Sequence, residues 1–315
     1  SILEKICNKS SIPIKIFQHP ILRNFIYNNQ LRYSQKIYED FLNLNNKNLS
    51  KNEEIKVKNA INSYQKYVQS NEHFNYLYKK KNKLKHKLRL ILKQIFKYNK
   101  QDNKNNFLQN SSILRNSEFD YSILLLNKTN NYRNYKFSPY YSIPTNLIRN
   151  ISLSLPHNHV LLVKVHPHDN INDNEILNEV NLHYNTQIIA KNVQLSEIFP
   201  QAKIVFSMST TASVEALMHF KHLVMFGEYI QFFGNKFNFV SKITNFENLK
   251  TIIRNLLNRK VDKNEINKFF YCFFNNSYSF GNNDDANWNK YKLVFNSKEL
   301  FTKAAIKIDE EIKIK

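Results

Sequence analysis

Apolar and polar positions change their rhythm near residue 115. After that point short apolar runs alternate with stretches of helical spacing. "YSILLL" (121–126) is an unbroken apolar run of strand length, and "IPTNLIRNISLSL" (143–155) spaces its apolar residues three and four apart, with Pro144 where a helix begins. "HVLLVKV" (159–165) predicts a second strand and "NDNEILNEVNLHY" (172–184) a second helix. There follow the strand "TQIIA" (186–190), a short helix around "LSEIF" (195–199), the strand "KIVFSM" (203–208), a helix from 211 to 219 and the strand "HLVMFG" (222–227).

Short apolar strands separated by helices predict a parallel sheet covered on both faces, a Rossmann-like α/β unit over residues 116–295. The tail 296–315 predicts a terminal helix. Residues 1–115 read differently, as helices separated by Asn/Lys-rich breaks with little alternation, so a mainly helical region without a sheet is expected there. Residues 100–117 have the composition of a polar linker. Within 79–100, "KKKNKLKHKLRLILKQIFKYNK", Leu84, Leu88, Ile91, Leu92, Ile95 and Phe96 form one stripe and Lys and Arg surround it. Such a helix can bind an anionic membrane surface, or it can pack its stripe on a neighbouring domain.

Charge adds one constraint. The 46 Lys and Arg outnumber the 25 Asp and Glu, a formal charge of +21, which favours phosphorylated substrates, acidic membrane surfaces or nucleic acid. No recognised nucleic-acid motif accompanies it, so no nucleic-acid partner is expected. The abundance of Lys, Asn and Ile beside only 3 Gly also fits an AT-rich coding bias, in which part of the charge is compositional. The two cysteines, Cys7 and Cys272, lie far apart and outside any CxxC, which implies neither a disulfide framework nor a zinc ribbon. No run approaches the ~20 apolar residues of a membrane span and no signal peptide is evident. A cytoplasmic protein, peripheral on the inner face of the plasma membrane through 79–100, is the expectation. The first residue is Ser rather than Met, so a processed chain or a fragment is also expected.

Neither GxGxxG nor GxxxxGK[ST] occurs, which removes the dinucleotide fingerprint and the P-loop. In open parallel sheets ligands bind at the carboxyl ends of strands. Two loops there carry unusual chemistry: "KVHPHD" (164–169) and "SMSTTASVEAL" (207–217). Ser209, Thr210 and Thr211 open a helix whose free N–H groups and dipole suit a phosphate without any glycine. Simple capping of that helix is the alternative. His166 can donate to a phosphate and, when protonated, neutralise a departing nucleotide. Strand alternation directs Lys164 to the same side, Pro167 ends the strand, and Glu215, one turn into the second helix, can accept from ribose hydroxyls. A metal reading competes, since His157, His159, His166, His168, Asp169 and His183 crowd the sequence. A strand separates the first two from the next pair by about 20 Å, so the crowding is linear and no metal is expected.

The order "SPYYSIPTNLIRNISLSLP…VLLVKVHPHD…LSEIFPQAKIVFSMSTTASVEALMHFKHLVMFG" resembles the C-terminal half of bacterial capsule polysaccharide synthesis glycosyltransferases of the Kdo-transferase-like group. It is similar in its HP and S/T motifs to bacterial sialyltransferases with two Rossmann-like domains. The resemblance covers residues 119–235 and implies the C-terminal domain of a GT-B-type enzyme that moves a sugar from a nucleotide donor, CMP-linked, onto a capsule or surface glycan. It further implies that His166 and Pro167 contact the donor phosphate, with Lys164 beside them, that Ser209, Thr210 and Thr211 bind the same phosphate, and that Glu215 matches the helix glutamate. No cofactor beyond the donor is implied; the partners are a nucleotide sugar and a glycan or glycolipid acceptor. The segment 124–141 carries no carboxylate where this group often has one, so no general base is assigned. A second Rossmann-like domain is expected to precede this one, and residues 1–115 do not show it. An inactive paralogue, a non-enzymatic basic module that binds membrane or nucleic acid, and a metallohydrolase using the histidines are the alternatives.

Overall fold

The computed structural model describes residues 16–18, 25–29, 33–44, 47–69, 107–108, 119–128, 138–166, 169, 174–190, 193–208, 210–227, 236–275 and 277–279. Along the chain run β1 (Ile16–Gln18), β2 (Phe25–Asn29), α1 (Tyr33–Asn43), α2 (Lys51–Gln69), β3 (Phe107–Leu108) and β4 (Asp120–Leu125). A 3₁₀ turn at Pro139–Tyr141 leads to α3 (Pro144–Ser154), β5 (His159–Lys164), α4 (Asn174–Asn181), β6 (Thr186–Ile189) and α5 (Leu195–Ile198). The rest comprises β7 (Ile204–Ser207), α6 (Thr211–Met218), β8 (His222–Phe226), β9 (Val240–Ile243), α7 (Leu249–Leu257), α8 (Lys263–Asn275) and β10 (Ser277–Ser279).

The chain forms two units. Residues 1–63, 230–236 and 263–315 make the first, and 64–229 with 237–262 make the second. This division departs from the expected boundaries at 115 and 295, because residues from both ends of the chain join one unit. In the first unit β1 and β10 flank β2 in an antiparallel sheet, where the sequence predicted helices alone. The strands are three to five residues long and β10 follows β2 by almost the whole chain, so no local alternation announced them. α8 packs against α1, burying Phe269, Phe270 and Phe273 of α8 and Ile37 and Phe41 of α1. Burial there pushes the Cys272 thiol up to about 12, an unreactive neutral state. Ser50 and Glu53 start α2 with a reciprocal cap: the Ser50 N–H donates to the Glu53 carboxylate at 2.8 Å, and the Glu53 N–H to Ser50 Oγ at 3.4 Å.

The second unit is the expected α/β Rossmann-like unit. Its seven strands pair in the order β3-β6-β5-β4-β7-β8-β9, every pair parallel. β3 lies within the stretch read as linker. From β4 onward the order is third, second, first, fourth, fifth, sixth, so the direction of winding reverses between β4 and β7. Leu124, Leu161, Val163, Phe206, Val224, Phe226 and Ile243 line one face of the sheet, packed with apolar residues of α3, α4 and α7. Alternation sends Ile123, Leu125, Leu162, Val205, Leu223 and Met225 to the other face, where they too are buried. Burial on both faces is why these strands read as unbroken apolar runs. The nine predicted elements from 121 to 227 are all present, with ends shifted by at most three residues; β9, α7 and α8 lie beyond the predicted set. Among the described residues no helix is long and apolar enough to cross a membrane. The basic helix of 79–100 and the terminal helix of 296–315 fall outside the described residues.

Candidate functional site

The carboxyl edge of the sheet brings the two loops together. Leu125 at the end of β4 pairs with Lys164 of β5 on one side and with Ser207 of β7 on the other. Two strand spacings, roughly 10 Å, therefore separate Lys164 from Ser207, and all three side chains belong to one face. Past Lys164 the chain turns: the Asp169 N–H donates to the His166 carbonyl at 2.9 Å. His166 is half-buried at this turn; Pro167 and His168 lie outside the described residues. Lys164 is buried, and its Nζ donates to the carbonyls of Ala190 at 2.8 Å and Val193 at 2.7 Å. Its charge thus sits in the floor of the edge, where it pins the segment between β6 and α5.

Ser207, Thr210 and Ser213 form a triangle of hydroxyls where β7 passes into α6. Ser213 Oγ donates to Ser207 Oγ at 2.7 Å, and Thr210 Oγ1 lies 3.2 Å from Ser207 Oγ and 3.1 Å from Ser213 Oγ. The spacing of three residues, 207, 210 and 213, puts them together: the last residue of a strand, the residue before the helix and the third residue inside it. Thr210 occupies the N-cap position with extended backbone, yet its side chain makes no capping bond, and α6 has no acidic residue in its first turn. The positive end of α6 is therefore neutralised by neither a side-chain cap nor a carboxylate of its own first turn. Thr211, the first helical residue, is exposed; Ser209 lies outside the described residues. Sequence reasoning overlooked Ser207 and Ser213, although the S-x-x-T-x-x-S spacing was there to be read.

Glu215 goes elsewhere. Its Oε1 accepts from the Tyr64 hydroxyl at 3.1 Å, and it lines a small pocket with Tyr64, Gln65, Ser196, Phe199, Met218 and His219. Burial pulls the His219 imidazole down to about 4, so it is neutral at pH 7. The structure thus places Lys164 and His166 at the end of β5 and Thr210 and Thr211 two strands away at the start of α6, on the same edge of the sheet, and carries Glu215 to a separate pocket.

The described histidines disperse among unrelated partners. His159 Nε2 lies 2.8 Å from Ser122 Oγ, buried in the core, and desolvation lowers its pKa to about 4. His157 pairs with the Tyr184 hydroxyl, and His183 lies 3.0 Å from Glu179, which also takes a bidentate contact from Arg149 at 2.7 and 3.0 Å. Among the described residues no three His, Cys, Asp or Glu side chains converge as a metal site. The segment leaving β4 is anchored far across the edge. Ser138 Oγ donates to the Phe226 carbonyl at the end of β8 at 3.0 Å, and the Tyr141 hydroxyl donates to the Ile243 carbonyl at the end of β9 at 3.2 Å.

No protein-family model matches the chain, and no curated protein sequence matches it either. Among solved structures the chain is similar to KpsC, beta Kdo 2,7 transferase, from Thermosulfurimonas dismutans, at 12% identity and a TM-score of 0.45 over 84% of this chain and 72% of that one. It is similar to KpsC, beta Kdo 2,4 transferase, from the same organism, at 11% identity and 0.44 over 84% and 74%. It is also similar to a protein from Listeria monocytogenes assigned as a UDP-N-acetylglucosamine 2-epimerase, at 16% identity and 0.33 over 54% and 43%.

Proposed function

We propose that this chain transfers a sugar from a nucleotide donor, CMP-linked, to a glycan acceptor, and receives the leaving phosphate at the carboxyl edge between β5 and α6. The observation that carries the reading is the start of α6. It opens directly after β7, beside the reversal in strand order where ligands of such sheets bind, with neither a side-chain cap nor an acidic first turn. As the bond from the sugar to the phosphate oxygen breaks, negative charge grows on that oxygen. Backbone N–H groups of α6, with Ser209, Thr210 and Thr211, stabilise that charge, and His166 donates to it from the end of β5, on the far side of β4. Lys164 contributes its charge from the floor while it stays bonded to Ala190 and Val193. The HP and S/T motifs, whose resemblance to Kdo-transferase-like enzymes rests on these same residues, support the reading. The donor is a substrate, and no further cofactor enters.

Titration calorimetry with CMP, UDP and GDP tests it, followed by turnover of a CMP-sugar by His166→Ala. CMP is expected to bind, and His166→Ala to lose turnover by a factor on the order of 10²–10³ with folding unchanged, as for one transition-state donor. Absence of nucleotide binding, or unaltered turnover in the folded variant, overturns the proposal.

A further inference from the structure

Tyr140 is a large aromatic side chain left 67% exposed at the carboxyl edge of the sheet, in the turn Pro139–Tyr141. Exposure of one aromatic ring is ordinary; a fixed orientation is not. The Tyr140 ring meets Tyr141 edge-on, with centroids 5.1 Å apart and planes at 88°, and Phe246 at 5.8 Å and 38°. Those two rings are themselves locked: Tyr141 and Phe246 are perpendicular at 5.3 Å, and both touch the buried Phe226, at 5.4 and 6.0 Å. The turn beneath is tied down by the hydroxyls of Ser138 and Tyr141, which donate to the last carbonyls of β8 and β9, and by Ser142 Oγ, which donates to the Pro139 carbonyl at 2.7 Å. Three aromatic rings and three side-chain hydrogen bonds thus hold one tyrosine upright at a sheet edge while most of its surface stays in water.

The place matters as much as the rigidity. β8 is the neighbour of β7, so the turn's anchor at Phe226 lies one strand spacing, about 5 Å, from the strand that delivers α6. A ligand with its phosphate on the α6 N-terminus extends its next groups along this edge, and a planar base has a face to lie on. Aromatic faces held without rotamer freedom stack bases at low entropic cost and tolerate every base, because each has a π-face. We infer that Tyr140, braced by Tyr141 and Phe246, is the stacking platform for the nucleobase of the donor. The inference rests on the nucleotide-donor reading above and adds a site for the base to that reading's site for the phosphate.

The test uses the full chain and whichever of CMP, UDP and GDP binds, its nucleoside, and ribose 5-phosphate as the base-free control, titrated against wild type, Tyr140→Ala and Tyr140→Phe. Tyr140→Ala is expected to weaken nucleotide and nucleoside alike, on the order of 5–150-fold, and to leave ribose 5-phosphate unchanged. Tyr140→Phe keeps the face and is expected to bind like wild type, which also controls for loss of folding. Equal affinity of Tyr140→Ala and wild type for the nucleotide overturns this inference alone. So does a Tyr140→Ala loss shared by ribose 5-phosphate, or a Tyr140→Phe loss as large as that of Tyr140→Ala, since neither is the mark of a base on a ring. Wild type that binds none of the three nucleotides overturns the donor reading and this inference with it.

Discussion

Removing the hydroxyls of Ser207, Thr210 and Ser213 one at a time and all together measures whether they act as a closed network. Ser207 and Ser213 are fully buried, and among the described residues the hydrogen bonds of their hydroxyls run within the triangle. Ser213→Ala removes the 2.7 Å bond and leaves the Ser207 hydroxyl with one long partner at 3.2 Å. Ser207→Ala does the converse to Ser213. Each of these is expected to cost about 1–3 kcal/mol, the penalty of a buried hydroxyl that has lost its best partner. Thr210→Ala removes two long bonds but leaves Ser207 and Ser213 paired, so it is expected to cost about 1 kcal/mol. The three single changes then sum to several kcal/mol. The triple alanine variant leaves no orphaned hydroxyl and is expected to cost less than about 2 kcal/mol, well short of that sum. Urea unfolding followed by circular dichroism reads all four, with a constant m-value as the check that only stability has changed. Additive single effects would refute the network. A Thr210→Ala cost unchanged in the Ser207→Ala/Ser213→Ala background would show that Thr210 acts instead by capping α6.

Two further outcomes follow from buried charge. His159 has its pKa lowered by desolvation to about 4 against an ordinary 6.5. Between these values the unfolded chain takes up a proton that the folded chain refuses, so its contribution is complete above about pH 6.5 and declines as the pH falls towards 4, by on the order of 3 kcal/mol. His159→Gln is expected to flatten that part of the urea-midpoint profile, with His219 keeping a residual slope; superimposable profiles would refute the assignment. Lys164→Met strips the Ala190 and Val193 carbonyls of their charged donor and is expected to destabilise by about 3–6 kcal/mol, the range for two bonds to a charged group. Urea stability within about 0.5 kcal/mol of wild type would mean the carbonyls find other donors.

The runs at 121–126, 159–165, 203–208 and 222–227 determined their own strands, because a segment covered on both sides must be apolar at every position and no other fate for so short a run is as favourable. The helices between them were equally legible from their period, and so was the placing of two chemically loaded loops at strand ends. Tertiary structure decided what those residues do. Strand order sets the reversal between β4 and β7, and pairing across the sheet is invisible to local periodicity. Lys164 reads as a ligand-facing cation until residues 190 and 193 supply the carbonyls that hold it. His159 reads only as one of a run of histidines until Ser122, on the adjoining strand, makes it a neutral core histidine. Thr210 reads as a cap until Ser207 and Ser213 engage its hydroxyl. The antiparallel sheet of the first unit needs β10, some 250 residues from β2. In each case the deciding partner is distant in sequence or lies across a strand-to-helix junction. Periodicity reports the burial a residue requires, and only the packed chain fixes which donor or acceptor satisfies it.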